Sequence, residues 1–131
     1  MTKFSKRLRK ISKKPRNALI LGQGVGELDD ILEVFSSAFI IGNFSEGIRR
    51  KNLIYIEKIE HINEISNFDM IFVGRDAIDS IKDLRAMYKK CQPLIFIEGD
   101  VNLPMDLIKL LMGDGYLVIS TEKRYHIWKV R

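Results

Sequence analysis

Along this chain short unbroken apolar runs alternate with apolar residues at helical spacing. Ala18–Leu21 runs straight into Gly22-x-Gly24-x-Gly26, and Leu28, Ile31, Leu32 and Phe35 then stand at i, i+3, i+4 and i+7. The pattern predicts a buried strand, a tight glycine turn and a helix, the opening unit of a ligand-binding α/β domain. The rhythm continues with strands predicted over 37–42, 53–56, 68–74 and 93–98. Residues 43–52 leave room for little more than a helical turn, and 58–67 carry Ile59, Ile62 and Ile65 as a short helix or a loop that packs like one. Asp76 is positioned to cap a helix running through Cys91, with Ile78, Ile81, Leu84 and Tyr88 inward. Pro104 marks the first turn of a helix to Met112, which Gly113-Asp114-Gly115 stops. The last segment breaks the pattern. Residues 116–121 and 125–130 flank only Glu122-Lys123-Arg124, a spacing that fits a β-hairpin and is too short for a helical crossover.

Before the first strand, Phe4, Leu8 and Ile11 lie at i, i+4 and i+7 in a segment that Pro15 ends. The reading is a basic amphipathic N-terminal arm over 1–16 followed by a single α/β domain over 17–131. Charge sharpens the division. The net charge is +5, yet residues 1–16 hold eight of the 22 cations and no acid, which leaves 14 cations against 17 acids in the remainder. Docking of the apolar stripe is the first expectation for the arm. Contact with nucleic acid or another polyanion through residues 3–16 is the second.

No apolar run approaches the ~20 residues of a membrane span. The basic N-terminus lacks the apolar core and cleavage site of a signal peptide, so a cytoplasmic location is the default expectation. Cys91 is the single cysteine, which rules out an internal disulfide and a cysteine-rich metal site. His61 and His126 have no partners at metal-ligand spacing and read as surface or hydrogen-bonded histidines, and no metal is expected. Trp128 reads as core or as an exposed packing edge. Glu98 and Asp100 follow the fifth strand, at the edge where open α/β sheets bind ligands.

The glycine spacing narrows the ligand. In a dinucleotide fingerprint, Gly-x-Gly-x-x-Gly, the third glycine would fall on Glu27. Glu27, Asp29 and Asp30 at the helix start suit the helix dipole but repel a pyrophosphate. A ligand with cationic groups is tolerated better, and S-adenosylmethionine (AdoMet), with a sulfonium and an ammonium, is such a ligand.

Strand, Gly-x-Gly-x-Gly, acidic helix start, five β/α units and terminal hairpin together resemble the class I AdoMet-dependent methyltransferases, in a compact form with degenerate motifs. The resemblance covers residues 17–131. It implies a Rossmann-like parallel sheet of order 3-2-1-4-5-7-6, with helices on both faces and the last strand inserted antiparallel. It also implies that Gly22, Gln23, Gly24 and Gly26 cradle the methionine part of AdoMet. Asn43 stands where the family has an acid gripping the ribose, Glu57 where the adenine amino group is met, and Gly74, Arg75 and Asp76 where methyl transfer is arranged. Arg75 and Asp76 are the catalytic candidates. Two family acids are absent, replaced by Ile20 and Asn43, and no Asn-Pro-Pro-aromatic sequence follows the fourth strand.

Three functions stay open on these residues. The first is an AdoMet-dependent methyltransferase of unknown acceptor. The second is a catalytically inactive relative kept as a binding or assembly module, and a homo-oligomer is open in either case. The third is a nucleotide-binding oxidoreductase domain, which Ile20 suits and which Glu27 and the hairpin disfavour.

Overall fold

The computed structural model describes residues 3–11, 16–22, 28–41, 51–64, 67–99, 103–121 and 125–131. The elements in chain order are α1 (Lys3–Ile11), β1 (Asn17–Leu21), α2 (Leu28–Val34), β2 (Ser37–Ile41) and β3 (Leu53–Ile56). A 3₁₀ segment (Ile59–Glu64) leads to β4 (Met70–Val73), and a second one (Arg75–Ser80) leads to α3 (Ile81–Cys91). Then come β5 (Leu94–Glu98), α4 (Met105–Gly113), β6 (Tyr116–Thr121) and β7 (Tyr125–Val130).

All seven strands form one sheet in the order β3-β2-β1-β4-β5-β7-β6. Strands β1 to β5 pair in parallel, and β7 lies antiparallel between β5 and β6. This is the Rossmann-like sheet and order that the resemblance implies, with the terminal antiparallel hairpin that the spacing predicts. The unbroken apolar runs have a simple cause: the sheet is covered on both faces, so both side-chain sets of each strand must be apolar. On β1, Ala18 and Ile20 pack toward α1 and α2, with Ile31, Leu32 and Leu8. Leu19 and Leu21 pack the other way, toward α3, α4 and the first 3₁₀ segment, with Ile81, Tyr88, Leu107 and Ile62.

Helix α1 lies on the sheet. Leu8 and Ser5 are fully buried, and Phe4 stacks on Tyr125 with centroids 5.5 Å apart. Lys6, Arg9 and Lys10 are exposed.

Asp69 ties the start of β1 to β4: its Oδ2 accepts the backbone N–H groups of Arg16 at 2.6 Å and Asn17 at 3.1 Å. Asp114, which the sequence presents only as part of a helix stop, is a second anchor. Its carboxylate is 2% exposed and accepts two 2.8 Å bonds from the Arg85 guanidinium and one from the Tyr88 hydroxyl. These bonds join α3 to the turn between α4 and β6. The hydrogen bonds from Arg85 hold the Asp114 carboxyl down at about 2, below the ordinary 3.8. A lowered carboxyl stabilises the fold fully above the unfolded value, and that contribution is lost as pH falls through the folded one. Asp114→Asn is therefore expected to cost about 1–3 kcal/mol at neutral pH, from weakened charged hydrogen bonds. In urea unfolding, the gap between variant and wild type should narrow as pH is taken below 4 toward 2. A gap that is the same at both ends of that range would exclude this role.

Candidate functional site

The parallel strands all end on one edge of the sheet. The chain order reverses between β1 and β4, which opens the crevice where such sheets bind ligands. Gly22 follows β1 there. It is buried at φ +85°, in the left-handed region that favours glycine, and its N–H donates to Ile41 O at 3.3 Å. Gly74 follows β4, is also buried, and donates its N–H to Leu21 O at 2.8 Å. Its extended backbone, φ −73° and ψ 160°, makes no demand for glycine.

The two turns meet. A Cβ on Gly22 would collide with Asp76 Oδ1 and lie 2.9 Å from the Ala77 Cβ. The close approach that requires a glycine at position 22 is thus made by this chain's own second 3₁₀ segment. Asp76 sits inside that segment and does not cap α3: Ser80 holds the N-cap position of the helix and makes no side-chain cap bond. The reason is tertiary, since the chain after β4 passes over Gly22 before α3 starts. An acidic side chain is thereby held against the end of β1.

Of the residues singled out in the sequence, Gly22, Gly74 and Asp76 come together at the crevice. Arg75 is exposed beside them, and Glu57 is exposed after β3, at the same edge but two strands from β1. Gln23, Gly24, Gly26, Asn43 and Asp100 lie outside the described residues. Glu98 ends β5, partly buried and opposite Tyr125 of β7. Ile20 has no exposure and packs with α2, so the position where the resemblance expects an acid is committed to the core.

The histidines divide. His61 is exposed. His126 is partly buried, and its Nε2 is buried with no hydrogen-bond partner among the described residues. The same holds for Nε1 of Trp128, two residues along β7 and 4% exposed. Leaving such atoms unpaired costs about 1–3 kcal/mol each. Strand alternation places both side chains on the α4 face, which the sequence pattern does give, but not what stands opposite them. Among the described residues, no three His, Cys, Asp or Glu side chains gather as metal ligands, and no helix is long and apolar enough to cross a membrane.

No protein-family model and no curated protein matches the sequence. Solved structures do match. A methyltransferase from Geobacter sulfurreducens aligns with TM-score 0.65 at 13% identity, over 98% of this chain and 77% of that one. The chain has the class I methyltransferase fold. Precorrin 8w decarboxylase from Methanobacterium thermoautotrophicum aligns with TM-score 0.64 at 13% identity, over 99% of this chain and 90% of the other. An N-methyltransferase from Bradyrhizobium japonicum gives 0.63 at 14%, covering 98% and 93%. At such identities the likeness is one of fold, and function must be argued from the site.

Proposed function

We propose that the chain binds AdoMet at the crevice between β1 and β4 and transfers its methyl group to an acceptor. The observation that carries this reading is the contact of Asp76 with Gly22, in a sheet of methyltransferase order. It holds a carboxylate against Gly22 at the end of β1, where a ligand bearing an ammonium and a sulfonium gains from a nearby negative charge. The family acid missing at Ile20 is thus replaced, in charge, by an acid from the next turn.

AdoMet when bound supplies an activated methyl group. The chain's residues bind and orient it, and positioning can supply most of the acceleration without a dedicated acid or base. In this reading Gly22, Gln23, Gly24 and Gly26 follow the methionine part, Asn43 meets the ribose and Glu57 the adenine amino group. Gly74, Arg75 and Asp76 face the transfer. Contact of residues 3–16 with nucleic acid or another polyanion belongs to the same proposal, through the exposed Lys6, Arg9 and Lys10. A second reading, an inactive methyltransferase-like assembly module, is favoured by the burial of Ile20 and by Asn43 in place of an acid.

Calorimetric titration with AdoMet, its demethylated product and NAD separates the readings. The expected result is binding of the first two and none of NAD. Gly24→Val should abolish that binding in a folded protein, and Asn43→Asp should tighten it by ~1 kcal/mol or more, the range of a charged hydrogen bond. No heat from AdoMet or its product would leave the assembly module as the better reading.

A further inference from the structure

We infer a second binding site, for a neutral, largely apolar molecule carrying a carbonyl or hydroxyl oxygen, in the groove between α4 and the β6–β7 hairpin. The groove encloses about 640 Å³, within the range of small-molecule sites. Met105, Ile108 and Met112 form one wall on α4, and Val118, His126 and Trp128 contribute from the hairpin. Leu107 and Leu111 turn the core face of α4 inward and Ile108 packs beside them, while Met105 and Met112 lie outside the core. Met105 is 64% exposed, Met112 54% and Val118 45%, which leaves apolar surface at the rim in water.

The chemistry of the occupant follows from the lining. Among the described residues it contains no Asp, Glu, Lys or Arg, so a charged ligand would lose its hydration without gaining a counter-ion there. It does contain His126 and Trp128, whose Nε atoms are buried without a hydrogen-bond partner among the described residues. The indole N–H can only donate, so the complement is an oxygen acceptor on an apolar body. A second copy of the chain fits less well. The edge strand β6 has a register shift between Val118 and Ser120, and such a bulge disrupts the template for strand pairing. The groove lies beyond β4 and β5 from the Gly22 turn, so the inference does not depend on the methyltransferase reading.

Trp128 is the only tryptophan, so its indole N–H gives a single resonance in the ¹⁵N-labelled full chain. Titration with 2-decanone, without AdoMet, should move that resonance saturably in the direction of stronger hydrogen bonding, and decanoate should bind at least tenfold more weakly. Val118→Phe, at an exposed strand position, should narrow the groove and weaken the ketone by about tenfold or more. Ile108→Phe serves the same purpose if the first variant does not fold. No saturable shift with the ketone, equal affinity for decanoate, or an unchanged titration in a folded groove-filling variant would each overturn the site. So would a resonance that moves with protein concentration alone, since a second copy would then cover the groove.

Discussion

Gly22→Val is expected to destabilise the chain by about 3 kcal/mol or more, combining a strained backbone with overpacking. Gly22 sits at φ +85°, where a β-branched residue is strained whatever space surrounds it. Space is lacking as well, because the new Cβ would meet the carboxylate of Asp76 and the methyl of Ala77. The Asp76 side chain can turn aside, but Ala77 is held in place: it donates its N–H to Gly74 O at 3.0 Å, and Gly74 is bonded to the end of β1. Against a total stability of 5–15 kcal/mol for a typical domain, the loss is large, and urea unfolding measures it directly. The two causes separate in a double-mutant cycle. In an Asp76→Ala background Gly22→Ala should recover the part due to the Asp76 carboxylate and keep the part due to φ and to Ala77. Strict additivity of the two substitutions would mean that the turns do not touch. Folded Gly22→Ala protein should also bind AdoMet more weakly if the crevice holds the cofactor, since Asp76 must shift to admit the methyl group.

The same contact marks the boundary of what the sequence made legible. Ala18–Leu21, Met70–Val73 and Leu94–Glu98 were readable as buried strands because a sheet covered on both faces writes an uninterrupted apolar run. The hairpin was readable because three residues between two strands permit no crossover. Leu28, Ile31 and Leu32 were readable as one helix face for the same periodic reason. Contacts between distant turns leave no such periodic trace. Asp76 looked like a helix cap because acids often cap, and only the fold brings Gly22 beneath it. Asp114 looked like part of a helix stop, whereas its carboxylate is held by Arg85 and Tyr88 from another helix. His126 can be placed on a strand face by alternation, but the burial of its Nε2 without a partner among the described residues comes from tertiary packing that alternation does not give. At the candidate site the pattern placed Gly22 after a buried strand, while the approach of Asp76 to Gly22 comes only from tertiary packing.

Removal of residues 1–14 is expected to lower the melting temperature sharply or to prevent folding. The deletion takes away α1, whose inward residues are set among the sheet's aromatics. Phe4 stacks on Tyr125 and approaches Phe72 and Phe96 edge-on, each with centroids 6.4 Å away. Leu8 is fully buried, Ile11 packs against the same cluster, and Arg7 donates to Ser120 Oγ at 3.1 Å. Burying an aliphatic or aromatic side chain is worth roughly 1.5–3 kcal/mol, and aromatic pairing adds about 0.5–1.5 kcal/mol. Losing three such side chains approaches the whole stability of a marginal domain. Leu8→Ala alone should cost about 2–5 kcal/mol, because the cavity it leaves lies beneath a helix pinned at both ends. A deletion variant that melts with the full chain would show the helix to be dispensable. The proposed polyanion contact needs a different substitution, since the deletion confounds the two roles. Lys6→Glu with Lys10→Glu reverses charge at exposed positions four residues apart on one helix face, away from Leu8. That variant should keep its melting temperature while losing affinity for single-stranded RNA and the salt dependence of binding. Unchanged RNA affinity at low salt would remove residues 3–16 from any polyanion role and leave α1 as a cover for the sheet.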